Sequence, residues 1–265
     1  MLPDLQKFMV RNVSALAVSD GMYQTPVPGV RCSKVSRPDR ATKRRWHACL
    51  GFVIQGAKDL TVGRTVHHLV AGSYTATPMD LPALSRFVSA SPESPFLAVL
   101  IEWNPRLLEE IAKPLEATLE PPPPERGHAV FIGAGDERMQ EAMARLTGLF
   151  ARPQDAATLG PLVIRELFYH LMRSPAGPAI HRFARAGSKN NRMQRAIHTL
   201  RSGLAEEMDV VALARAAGMS RAGFFKAFKE MTAVSPIQYQ KRLRLLEARQ
   251  LMVEEEPRPK APPSK

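Results

Sequence analysis

The 265-residue sequence predicts an α+β chain, with a β-sandwich or barrel in its front half and helices from there to the end. Two observations predict this. Between Pro26 and Trp103 the apolar residues come in short runs punctuated by glycine and proline. After the run Pro121-Pro-Pro-Pro124 the apolar spacing changes to that of amphipathic helices. Runs of four to eight residues rich in Val, Ile, Leu and Thr read as strands, and spacings of three and four read as helix faces. A hydrophobic content of 45% is enough to build a buried core, and two cysteines exclude a disulfide scaffold.

The strand series begins with His47-Ala-Cys-Leu-Gly-Phe-Val-Ile54, which Gln55-Gly56 ends. Asp59–Val62 stops at Gly63-Arg64, Thr65–Val70 stops at Ala71-Gly72, and Phe96–Ile101 closes the series. Asn104-Pro105 then opens a short helix over Arg106–Ala112, with Pro114 to end it. The tetraproline run is stiff and cannot continue a helix, so it marks either a domain boundary or a surface loop. Beyond it, Met139, Met143, Leu146 and Phe150 line one helix over 136–150, and Leu162 to Leu171 continue a second up to Ser174-Pro175. These stripes read as core packing, and no internal repeat is visible.

Charge is distributed unevenly. The chain carries 37 basic and 25 acidic residues, a net of +12, and residues 181–252 alone hold 14 basic against 5 acidic. Such an excess suggests a polyanionic partner. No run approaches the roughly 18 apolar residues of a membrane helix. The first thirty residues lack a signal-peptide pattern, so a reducing, cytoplasmic setting and no membrane partner are expected.

Residues 208–252 hold the most specific pattern. Val210–Ala217 reads as a short helix with Leu213 and Ala214 inward, and Gly218 suits a tight turn. Ser220 is a natural N-cap for a helix with Phe224 and Phe228 on its buried face. That leaves Arg221, Ala222, Phe225, Lys226 and Lys229 outside, as on a recognition helix in a major groove. Pro236 opens a third helix whose Lys241, Arg242, Arg244 and Arg249 suit phosphates. A basic helical hairpin with no role at DNA would share the pattern.

Two stretches, Met219-Ser-Arg-Ala-Gly-Phe-Phe-Lys-Ala-Phe228 and Ser235-Pro-Ile-Gln-Tyr-Gln-Lys-Arg-Leu-Arg-Leu-Leu-Glu-Ala-Arg249, resemble the first helix-turn-helix and linker helix of AraC-family transcription regulators. Gln55-Gly-Ala-Lys58, Ala71-Gly-Ser-Tyr74, Asp80-Leu-Pro82 and Ala90–Phe96 resemble the N-terminal effector domain of one subgroup, and Arg165–Leu171 its inter-domain helix. The resemblance spans about Tyr23 to Met252. It implies a cupin-like effector-sensing domain over 1–133, connecting and dimerising helices over 134–178, and a DNA-binding domain over 179–252. By position Ala222, Phe225 and Lys226 match the base-reading face, with Arg221 and Lys229 nearer phosphates or the groove edge. Phe225 departs from a polar reader and suits a thymine methyl, while Lys226 suits guanine O6 or N7.

The family carries a second helix-turn-helix after the linker helix. Here Val253–Lys265 holds four prolines and cannot form one, so a disordered Pro-rich tail over 253–265 and a truncated regulator are expected.

The function expected is sequence-specific binding of double-stranded DNA by a homodimer, in response to a small-molecule effector, with RNA polymerase as a further partner. The alternative is a ligand-binding or dimerising relic without specific DNA binding. Candidate effector contacts are Trp46, Phe52, Ile54, Tyr74 and Trp103, each of which reads first as sandwich core. A metal-dependent cupin enzyme is the more distant reading: His67 and His68 are adjacent and point to opposite faces, and His47 and His128 have no companions at ligand spacing. No cofactor, phosphate loop or catalytic constellation is expected. Cys49 sits in an apolar strand and suits an inert thiol, whereas Cys32, beside Arg31 and near Lys34, suits a lowered pKa and redox or electrophile sensing.

Overall fold

The structure is a computed structural model that describes residues 1–116, 129–185, 187–204, 206 and 208–255. The tetraproline run, His128 and residues 256–265 of the expected tail lie outside the described residues.

Helix α1 (Pro3–Leu16) precedes strands β1 (Gly21–Gln24), β2 (Val30–Val35), β3 (Thr42–Trp46), β4 (Cys49–Gln55), β5 (Ala57–Val62), β6 (Thr65–Val70), β7 (Ser73–Thr77), β8 (Leu81–Ser89) and β9 (Phe96–Glu102). After helix α2 (Pro105–Leu115) comes β10 (Phe131–Ala134), followed by α3 (Glu137–Gly148), α4 (Pro153–Arg173) and α5 (Gly177–Ala184). The strands form two antiparallel sheets, one in the order β1-β2-β9-β4-β7-β10 and one in the order β3-β8-β5-β6. The fold is thus the expected α+β arrangement, a β-sandwich followed by helices.

The period-2 geometry of the strands sets two separate cores. Leu50, Phe52 and Ile54 of β4, with Tyr74, Leu97, Val99 and Ile101, face helices α1 to α5 and share one core with Met143, Leu167 and Phe168. Val53, Phe96 and Ala98 face the second sheet and pack on Leu60, Leu69, Leu81 and Phe87. Strand β4 is therefore covered on both sides, which is why its sequence reads as an unbroken apolar run. Helices α3 and α4 share the core on the outer face of the six-stranded sheet.

Helices α2 and α4 exceed their expected bounds. Helix α2 continues to Leu115 through Pro114, which removes one backbone donor at its last turn. Helix α4 begins at Pro153 and runs through Pro161. Gly160 lets it do so against the loop after β1, because a Cβ there would stand 2.5 Å from Val27 Cγ1.

The C-terminal part holds α6 (Lys189–Ser202), α7 (Val210–Ala216), α8 (Arg221–Thr232) and α9 (Pro236–Glu255). Helix α9 takes in Val253, Glu254 and Glu255, so the helix reaches three residues into the expected tail. Phe183, Met193, Ile197, Leu213, Phe224, Phe228 and Tyr239 form one apolar cluster continuous with the inner face of the sandwich. The sandwich and the C-terminal helices are thus packed together.

Candidate functional site

Helices α7 and α8 each start on a side-chain cap. Asp209 Oδ1 accepts from the amides of Val211 and Ala212, both at 2.9 Å, and Ser220 Oγ accepts from Gly223 N at 3.2 Å. Between the two helices Gly218 takes φ +65°, the left-handed turn that the chain needs to reverse direction. Phe224 and Phe228 are fully buried, with ring centroids 5.6 Å apart, and Phe228 meets Tyr239 of α9 edge-on at 5.2 Å. These contacts fix α8 so that Arg221, Ala222, Lys226 and Lys229 are exposed. No carboxylate pairs with Arg221, Lys226 or Lys229 among the described residues.

Phe225 is half-buried, and the Arg221 guanidinium lies 5.9 Å from its ring centroid. On α9, Lys241 and Arg242 are exposed, but Arg244 is engaged. Its guanidinium donates to the Leu204 carbonyl and, at 2.6 Å, to the Glu206 carbonyl. Gln240 Nε2 also donates to Glu206 O, at 2.9 Å. Arg244 therefore braces the loop after α6, a structural contact beside the phosphate contact expected of it.

The docking of these helices on the sandwich centres on Asp80, which is 2% exposed. Its Oδ1 accepts from Ala48 N at 3.0 Å and from Arg201 Nη1 of α6 at 3.4 Å. Its Oδ2 lies 3.6 Å from His47 Nδ1 and 3.8 Å from Arg45 Nε. Burial opposes the charge, but His47, the Ala48 amide and Arg201 outweigh it and hold the carboxyl below its ordinary range. The Asp80 carbonyl accepts from the Tyr239 hydroxyl at 2.6 Å, Gln194 donates to Pro78 O, and Ala129 N donates to Met231 O at 3.0 Å. Beside this node lies a cleft of about 740 Å³ lined by Arg31, Trp103, Arg106, Asn191, Arg195 and Arg201 among others. Sequence reading missed the pairing because Asp80 and Arg201 are 121 positions apart. The one local signal is a carboxylate set between Met79 and Leu81.

The expected effector contacts do not converge. Phe52, Ile54 and Tyr74 are buried under the helices on the outer face of the six-stranded sheet, where Tyr74 OH donates to Ser174 Oγ at 2.9 Å. Trp46 lies in the other core, between the sheets, and only Trp103 lines the cleft. Inside the sandwich, Lys58 Nζ sits 4.3 Å from the Trp46 ring centroid, 5.1 Å from Phe96 and 5.3 Å from Phe87. Burial draws this amine down to about 8. The expected lowered pKa of Cys32 is also corrected. Its side chain faces the helix-covered core, away from Arg31, and burial pushes its thiol up to about 11, as it does for Cys49.

His68 Nδ1 lies 2.7 Å from Asp59 Oδ1, and among the described residues no group of three or more His, Cys, Asp or Glu is placed to hold a metal. No helix among them is long and apolar enough to cross a membrane.

Residues 26–179 match the family described as AraC-type transcriptional regulator N-terminus. No curated protein matches the chain. Among solved structures, an apo ToxT variant from Vibrio cholerae is similar over 81% of this chain and 97% of its own, at 12% identity and TM-score 0.36. Unsaturated fatty acid-bound ToxT from Vibrio cholerae is similar over 80% and 94%, at 13% identity and TM-score 0.30. The AraC-like transcriptional activator CuxR is similar over 93% and 92%, at 15% identity and TM-score 0.36.

Proposed function

The chain belongs to the AraC-type transcriptional regulators through its N-terminal domain, and from that premise we propose that it is a DNA-binding regulator under the control of a small-molecule effector. The observation that carries the DNA-binding half is α8. It is a capped helix after a tight turn, with buried phenylalanines behind it and Arg221, Lys226 and Lys229 exposed in front. This is the build of a helix that enters a major groove. Lys241 and Arg242 on α9 contribute phosphate contacts, and residues 181–252, with 14 basic against 5 acidic groups, supply the long-range attraction.

The effector acts through the cleft beside Asp80. Ligands favour concave sites between packed units, and this one is bounded by the sandwich on one side and α6 on the other. An occupant that contacts Arg201 changes how α6 is held against Asp80, and α6 carries α7 and α8 with it. A homodimer forms through α4, where Leu159, Leu162 and Tyr169 are exposed at helical spacing. The protein acts by binding rather than by catalysis.

The test is fluorescence anisotropy of the full chain against the duplex upstream of its own gene and a scrambled duplex, across a salt series. Log affinity falls with log salt at about −0.9 per phosphate neutralised. Tenfold or greater preference for the upstream duplex supports a sequence-specific regulator. Equal affinity for both leaves only non-specific attraction, and no binding at low salt refutes the DNA-binding role.

A further inference from the structure

We propose that Arg221 is the principal base-reading side chain of α8, directed at guanine, and that Phe225 is its positioning residue rather than a thymine contact. This rests on the DNA-binding reading above and assigns the roles within it.

Arg221 is the first residue of α8, and the N-terminal residues of such a helix lie nearest the base edges. The residues that follow it are Ala222 and Gly223, both exposed. The first turn therefore offers one long side chain, with a low surface around it that allows the backbone to approach the groove closely. Phe225 lies four residues on, one turn along the same face. Its ring supports the guanidinium at 5.9 Å and is itself half-buried, so it cannot swing out to a base edge without giving up that packing. A guanidinium held within cation–π reach of an aromatic ring loses rotamer freedom before it meets DNA, and its fork of donors matches guanine O6 and N7 together. Lysine has no such fork. Lys226 and Lys229 are exposed, with no ring beneath either among the described residues, and act as point charges.

The test is selection of a randomised duplex library by the full chain, with each variant's affinity then measured across salt. The wild type is expected to enrich guanine at one position in each half-site. Arg221→Lys keeps the charge and is expected to lower that preference tenfold or more, with the salt slope unchanged. Phe225→Leu keeps apolar bulk without a π face and is expected to lower it at least threefold, whereas Phe225→Tyr keeps it. An undiminished guanine preference in Arg221→Lys overturns the proposal. So does an equal loss on every duplex with a salt slope smaller by about one, the mark of a phosphate contact. Salt-dependent binding without any base preference in the wild type overturns the assignment while leaving DNA binding intact. Absence of duplex binding at low salt overturns both.

Discussion

The Tyr239 hydroxyl of α9 donates to the main-chain carbonyl of Asp80 at 2.6 Å, and the same residue's carboxylate receives Arg201 of α6 at 3.4 Å. Two helices of the basic segment are thus attached to one residue of the sandwich. Tyr239→Phe leaves a buried carbonyl without its donor and is expected to cost about 1–2 kcal/mol in urea unfolding. Asp80→Asn removes the charge facing Arg201, Arg45 and His47, with an expected loss of about 2 kcal/mol. Because the folded carboxyl is held below its unfolded value of 3.8, its contribution is present above pH 4 and is lost as pH falls through the lower folded value. Asp80→Asn should flatten the acid limb of the stability curve. An unchanged acid limb would show that the node carries no net stability.

Lys58 makes the opposite pH prediction. Its amine is drawn from 10.5 to about 8 by burial among Trp46, Phe87 and Phe96. The folded state therefore binds fewer protons than the unfolded chain between pH 8 and 10.5, and stability rises with pH across that window. Lys58→Met fills a similar volume without the charge. It is expected to stabilise the fold by about 2 kcal/mol at pH 7 and to abolish the rise. Unfolding of both proteins at pH 7 and pH 10 decides the point.

Ala233 ends α8 at φ 67°, the single non-glycine residue with positive φ among those described. Glycine takes this left-handed position without a Cβ penalty. Ala233→Gly is expected to stabilise by about 0.5–1 kcal/mol, read as an upward shift in the denaturant midpoint with no change in slope.

Both thiols should be inert in the folded protein. With values near 11, Cys32 and Cys49 are almost wholly protonated at pH 8. Iodoacetamide labelling followed by mass spectrometry should modify them only as the chain unfolds, so the labelling rate rises with denaturant. Rapid modification of Cys32 in native buffer would revive the thiol-sensing reading.

The parts of the fold legible in the sequence are those whose local pattern matches their burial. Strand β6 and the apolar run of β4 are visible because turns bound them, and α8 because Ser220 caps it and Phe224 and Phe228 repeat at four. Helix α1 is not legible in the sequence, since only Met9 and Val13 are buried in its fourteen residues. Strand β3 reads Thr-Lys-Arg-Arg-Trp, a polar edge strand with no alternation to betray it. The effector candidates are hard to read for a different reason. A strand covered on both sides, as β4 is, shows alternation to neither, so the sequence cannot say which face looks toward a ligand. The Asp80 node is a long-range meeting of single residues, and no spacing rule reaches it.

Arg244 has one more consequence. By holding the carbonyls after α6 from its place on α9, it joins the first and last helices of the basic segment into one mechanical piece, with α7 and α8 carried between them. The portable reading head is accordingly not the helix-turn-helix alone. A hybrid that grafts another regulator's specificity onto this sandwich would need its junction before Ser188, the cap of α6, and would need to keep the Arg201 and Tyr239 anchors. A junction cut at Asp209 would exchange the teeth of a gear and leave its axle behind.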